Sequence, residues 1–180
     1  MTQKKSIIIK IAVVLIMIFA SLMNGHLQLN RKVDKIEDVF TNGENKDNLS
    51  IKYDLQKIDD SMSYFLSLAK VNHVESENIK KLDQLHKEFD TIDAIVDYSK
   101  WYKEVKAVYP LAFSQVRSVQ ISKQHEEMLN KYEATYNSSI HTISYSPYNQ
   151  YVEEYEKETD GILAKLIINI TGVKKVTTFD

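Results

Sequence analysis

Residues 51–109 read IKYDLQKIDDSMSYFLSLAKVNHVESENIKKLDQLHKEFDTIDAIVDYSKWYKEVKAVY, and no glycine or proline interrupts them. Leu55, Ile58, Met62, Phe65 and Ala69 follow one another at steps of three or four. So do Ile79, Leu82, Leu85 (or His86), Phe89, Ile92 and Val96. That period puts each set on one face of an α-helix. The stretch is therefore two helices or one very long one, with residues 71–78 (VNHVESEN) as the break and Ser76 as a possible N-cap. The whole chain of 180 residues holds only four glycines and two prolines, well below the usual share of each. Few places to turn means long helices.

Toward the C-terminus, Pro110 predicts an end or kink near Val108 or Tyr109. Beyond it, Phe113, Val116 and Val119, then Met128 or Leu129, Tyr132 and Tyr136, mark one further amphipathic helix with a polar middle. Residues 144–155 read SYSPYNQYVEEY. Ser146 before Pro147 opens a helix, because a serine caps an orphan amide and proline at the first helical position sacrifices no hydrogen bond. Tyr148, Tyr151, Val152 and Tyr155 then run on into Ile162, Leu163, Leu166, Ile167 and Ile170. Gly161 weakens the middle of this helix by about 1 kcal/mol relative to alanine without having to end it. Tyrosines in line with aliphatic residues read as a packed seam with hydroxyls at its rim rather than as a ligand platform. Gly172 suits the C′ position, and residues 173–180 form a short tail.

Toward the N-terminus, residues 41–50 (TNGENKDNLS) form a polar loop. Leu29, Val33, Ile36 and Phe40 share one face of a helix over residues 26–40. Residues 6–23 read SIIIKIAVVLIMIFASLM behind a basic leader, residues 1–5. As a helix they rise about 27 Å, close to the roughly 30 Å of bilayer hydrocarbon. Ile7, Ile8, Ile9, Ile11, Val13, Val14, Leu15, Ile16, Ile18 and Phe19 are the membrane-spanning residues of this reading, and Lys10 reaches the headgroups with its long stem. A cleaved signal peptide is the rival; against it stands the lack of a clean small-x-small site beyond a poor one around Ala20. The chain thus divides into a membrane anchor over residues 1–23, a signal-anchor, and a helical domain over residues 24–180. Lys4, Lys5 and Lys10 favour a cytoplasmic N-terminus with the helical domain outside, although Arg31, Lys32 and Lys35 count on the other side.

The bulk numbers exclude several chemistries. A net charge of -2 provides no field for nucleic acid. The absence of cysteine removes disulfides, thiolate metal sites and thiol nucleophiles. His26, His73, His86, His125 and His141 never stand three or four residues apart, so a helical metal site has no ligand pair, even beside Glu126 and Glu127. Glu153, Glu154, Glu156, Glu158 and Asp160 read as the solvated side of the tyrosine helix, with Glu153 and Lys157 as an i, i+4 pair. Asn48, Asn137 and Asn169 sit in Asn-x-Ser/Thr patterns that matter only where glycosylation occurs. No phosphate loop or nucleophile motif is present, and no cofactor is implied. Catalysis has no residue to rest on.

The C-terminal run of Tyr148, Asn149, Val152, Tyr155, Ala164, Gly172 and Phe179 resembles the end of the LemA family, though Glu156 stands where that family repeats an asparagine. Leu55, Lys57, Asp60, Met62 and Phe65 resemble its most typical segment, with Ile58 in place of a second basic residue and Ser63 in place of a proline. Tyr109, Pro110 and Phe113 fit its Tyr-Pro before the third long helix, and Tyr136 with Asn137 makes an additional Tyr-Asn. Asn30 and Val33 after the anchor agree too, so the resemblance covers nearly the whole chain. It implies an all-α fold: an N-terminal transmembrane helix followed by an elongated antiparallel four-helix bundle, in the cell membrane of a bacterium. It also implies a non-enzymatic scaffold that organises membrane or protein partners, through a foreign protein or coiled-coil-like self-association. Lys57, Asp60, Tyr148 and Asn149 are the candidate interaction residues, because polar positions that match the family are hard to explain by core packing. The rival from another class is a small-molecule sensor with a pocket between helices lined by Tyr148, Tyr151 and Trp101. A membrane-bound hydrolase would need an inward-facing acidic pair drawn from Asp59, Asp60, Glu75 and Glu77.

Overall fold

The structure, a computed structural model, describes residues 2–45 and 49–179, with backbone alone for residues 2–5. The side chains of Lys4 and Lys5, and Asn48 of the first Asn-x-Ser pattern, lie outside the described residues. Among the described residues the chain is all-helical: α1 (Thr2–Asn42), α2 (Ile51–Val71), α3 (Glu77–Phe89), α4 (Ile95–Arg117), α5 (Lys123–Ser144), α6 (Pro147–Thr159) and α7 (Ile162–Thr171). Two compact units result, Met1–Lys35 with Glu153–Lys175, and Ile36–Val152 with Val176–Asp180.

The larger unit is organised by α2, which packs on α3, α4 and α5, while α3 packs on α4. Leu55, Ile58, Met62, Phe65 and Ala69 are all fully buried, so the stripe in the sequence is the core face. Phe65 meets the rings of Tyr109 (5.4 Å between centroids) and Phe113 (5.8 Å), and Tyr109 stacks on Tyr136 at 4.2 Å. Ser61 donates to the Tyr132 carbonyl (2.9 Å) and lies 3.3 Å from the Tyr109 hydroxyl, giving a buried polar group its partners. Burial pushes the Tyr109 hydroxyl up to about 12.

The helix ends follow local chemistry. Ser50, Ser76 and Ser122 each accept a hydrogen bond from the amide three residues on, and Ser146 accepts from Tyr148 at the start of α6. α2 ends in a Schellman-type turn. Val74 N–H bonds the Ala69 carbonyl, and His73 holds the left-handed conformation (φ 54°) that more often falls to glycine.

Four sequence expectations change. Residues 51–109 contain a second break, at 90–94, where Thr91 turns its hydroxyl and its amide onto the Glu88 carbonyl. Side chains that compete for backbone groups end a helix without glycine or proline. The single helix expected from Phe113 to Tyr136 is likewise divided at 118–122, between α4 and α5. Gly161 does end its helix, standing as the N-cap of a separate α7.

Pro110, conversely, neither ends nor interrupts α4, which runs on to Arg117. Tyr109, Ala112, Phe113 and Val116 are buried on either side of it, and their packing outweighs the lost amide. Pro110 itself is exposed. Replacing it with alanine restores a bond to the Lys106 carbonyl and should raise stability by up to about 3 kcal/mol. Urea unfolding of the full chain in detergent reads this directly. An unchanged or lowered midpoint would mean that the turn at 106–110 is already shaped for proline.

Candidate functional site

Ile7, Ile8, Ile9, Ile11, Val13, Val14, Leu15, Ile16, Ile18 and Phe19 are all exposed, on every side of α1. The described part of this helix, Ser6–Asn42, has an apolar window of mean hydropathy 2.7, none of it buried. It is long and apolar enough to cross a membrane or to act as a signal sequence. A helix that is apolar all round needs an apolar medium or a packed core around it, and no described residue supplies the core.

The four candidate interaction residues separate into two places. Lys57 and Asp60 stand on the outer side of α2. The Lys57 ammonium lies 3.6 Å from Asp54 and 4.3 Å from the centre of the Tyr53 ring, and Asp60 accepts from Gln56 (3.0 Å). Tyr148 and Asn149 face inward. Tyr148 is fully buried and donates to the Thr177 carbonyl (3.0 Å); Asn149 Oδ1 accepts from the Phe179 amide (2.9 Å). With Ser99 donating to the Thr178 carbonyl (2.9 Å), three side chains hold residues 177–179 as a strap. Its Phe179 ring is buried among Phe40 (5.6 Å), Tyr148 (5.7 Å) and Tyr102 (5.8 Å). The Tyr-Asn pair clamps residues 177–179 of its own chain.

The other tyrosines of 144–155 differ. Tyr155 is buried, Tyr151 is half-buried with its hydroxyl on Glu44 (2.8 Å), and Tyr145 is exposed. Trp101 is buried, donates to the Leu85 carbonyl (2.8 Å) and borders a cleft of about 470 Å³ with Glu88, Asp97 and Glu104. Neither Tyr148 nor Tyr151 lines that cleft, so it does not bring the three aromatic residues together. Lys81 pairs with Glu104 and Lys100 with Asp97 at its rim, contacts of at most about 1 kcal/mol at exposed sites. The acidic run of α6 is exposed throughout, with Glu153 and Lys157 at 3.9 Å.

Among Asp59, Asp60, Glu75 and Glu77, only Asp59 faces inward, and its carboxylate lies 2.8 Å from His86 Nδ1. This pair, 27 residues apart, has no signal in the sequence. Burial raises the Asp59 pKa above its ordinary 3.8; His86 opposes the rise, and Asp60 and Asp90 add to it. A raised carboxyl favours the neutral form in the fold. Its contribution is fully present below pH 3.8 and is lost as pH rises through the folded value. Asp59→Asn keeps hydrogen-bonding atoms and removes the charge. The stability difference between variant and wild type should therefore move in the variant's favour from below pH 3.8 to neutrality, as read by urea unfolding at several pH values. Parallel pH curves for the two chains would refute it.

Among the described residues no three His, Asp or Glu side chains cluster as a metal site would. The nearest approach in the sequence, His125, instead sets its ring 3.1 Å from Asn72 Oδ1. The chain was compared with family models, curated proteins and solved structures, and it matches none of them.

Proposed function

We propose that this chain is a single-pass, membrane-anchored helical scaffold of the LemA type, without catalytic activity of its own. The observation that carries the reading is the apolar helix over residues 6–23, none of it buried, continuous in α1 with a chain that folds into packed helices. In this proposal α2 to α5 form the elongated antiparallel four-helix bundle. Their three connections, 72–76, 90–94 and 118–122, are five residues each, a length that disposes consecutive helices antiparallel. The span fixes the bundle at the bilayer of a bacterial cell, and an outer face of the bundle docks a protein partner or a second copy. Tyr53, Lys57, Asp60 and Tyr64 mark such a face on α2, where Tyr53 and Tyr64 keep large exposed rings.

The orientation places the helical domain outside the cytoplasm. Fusions after Asp180, one to a reporter active only outside and one to a reporter fluorescent only inside, test both the span and its direction. Outside activity supports the proposal as oriented by Lys4, Lys5 and Lys10. Inside fluorescence with the chain in the membrane would reverse the orientation in favour of Arg31, Lys32 and Lys35. A fluorescent chain found in the soluble fraction would overturn the anchor.

A further inference from the structure

Among the described residues, the smaller unit leaves a second apolar surface exposed. α7 begins after Gly161 and ends at Gly172, which adopts φ 67° and ψ 35°. At 100° per residue, Ile162, Leu166, Ile170 and Leu163 fall within one 100° arc of this helix. All four are exposed, Ile162 at 90% and Leu163 at 67%. Ile167, just beyond that arc, is buried. A methyl group placed on Gly25 of α1 would come within 2.6 Å of Ile167 Cδ1, so the end of the Ile167 side chain lies against α1 at Gly25. Sequence periodicity assigned all these residues to one inward stripe. The helix break at Gly161 resets the register, and only Ile167 turns inward.

Two contacts within this unit, one from α6 and one from α7, place the chain beside α1. Glu158 pairs with Lys32, and Ile167 lies at Gly25. Advancing from 158 to 167 therefore moves down α1 from 32 to 25, toward the end of the apolar run at Met23. Gly25 stands two residues beyond Met23, so α7 touches α1 beside the start of its exposed apolar surface. The stripe on α7 is thus continuous with the surface already assigned to lipid. α7 itself, ten residues or about 15 Å, is too short for a crossing of roughly 30 Å. A short helix with one apolar side lies in the interface, that side sunk about 5–10 Å among headgroups and acyl chains.

We infer that α7 is a second membrane contact: a helix that lies in the lipid interface beside the span, with Ile162, Leu163, Leu166 and Ile170 in the bilayer. The inference rests on the reading of α1 as an anchor. It gives the chain two attachments, a crossing and a surface contact, which would hold the smaller unit against the bilayer.

The full chain contains no cysteine, so single substitutions carry an environment-sensitive dye cleanly. Val14→Cys, Leu166→Cys, Ile170→Cys and Lys165→Cys, all at exposed positions, are labelled and reconstituted into phosphatidylcholine and phosphatidylglycerol vesicles. Lipids spin-labelled near the headgroup or deep in the chain, and aqueous iodide, serve as quenchers. The inference expects blue-shifted emission at Leu166→Cys and Ile170→Cys, most of it lost to the shallow spin label. It expects deep quenching at Val14→Cys and iodide quenching at Lys165→Cys. Deep quenching at Val14→Cys with only iodide quenching at positions 166 and 170 would overturn the α7 inference and leave the anchor standing. Protection of those two positions from iodide and lipid quenchers alike would mean that protein covers the stripe, and would also overturn it. Loss of lipid quenching at Val14→Cys would remove the anchor and this inference together.

Discussion

Phe179→Ala should remove about 3–5 kcal/mol of stability, the range for deleting a buried phenylalanine ring. The ring is fully buried and meets three aromatic neighbours, Phe40, Tyr102 and Tyr148. For a protein whose total stability is of order 5–15 kcal/mol, that is a large share. One feature limits the loss. Residues 173–179 lie outside the helices and are held through three side-chain hydrogen bonds, so this segment can come away by itself, and the global loss cannot exceed the free energy of docking it. The two cases separate in urea unfolding of the detergent-solubilised chain combined with amide hydrogen exchange. Loss of protection at the Phe179 amide, which bonds Asn149, with little change at buried α2 amides would mean local release. A matching fall in the global midpoint would mean that the strap braces the whole unit. Tyr148→Phe is the milder comparison: it deletes only the hydroxyl on the Thr177 carbonyl, about 1 kcal/mol. If Phe179→Ala left both stability and exchange within 0.5 kcal/mol of wild type, the range of an ordinary surface substitution, the tail would not be docked in solution.

The strap also marks where legibility in the sequence stops. The core face of α2 could be read residue by residue, because burial of one helical stripe imposes its period on the sequence. The serine caps at Ser76 and Ser146 were legible for a similar reason: each acts on amides two or three residues away. The strap obeys neither rule. Its backbone is held at Thr177, Thr178 and Phe179 by side chains 29, 79 and 30 residues distant, and no local pattern encodes such pairings. Tyr148 and Asn149 stood out as polar residues with a role, yet that role is internal. Apolar residues invite the opposite mistake. Ile162, Leu163, Leu166 and Ile170 continue the periodicity of α6 only while the helix is unbroken, and the break at Gly161 turns them outward. The Asp59–His86 contact joins two helices and became visible only in three dimensions.

The largest expected effect belongs to the span. Val14 and Leu15 lie at the middle of residues 6–23, and both are exposed to whatever surrounds α1. An arginine at the centre of a transmembrane helix is less favourable than the residue it replaces by about 3 kcal/mol, so Val14→Arg with Leu15→Arg should cost about 6 kcal/mol. That is roughly four powers of ten in partitioning. Carbonate-washed membranes should lose the doubly substituted chain to the soluble fraction. The fold of the larger unit should survive, since neither position packs on another part of the protein, and far-UV circular dichroism should show unchanged helix in the released chain. The mass of the wild-type membrane-bound protein decides between a retained span and a cleaved leader: a retained span keeps residues 6–23 on the mature chain, whereas cleavage near Ala20 removes them. α7 cannot compensate for the double substitution, because four aliphatic side chains on a ten-residue helix give only reversible surface binding. A doubly substituted chain that stayed fully in washed membranes would therefore show that something other than the first helix holds this protein there. The scaffold reading would then have to be rebuilt around that contact.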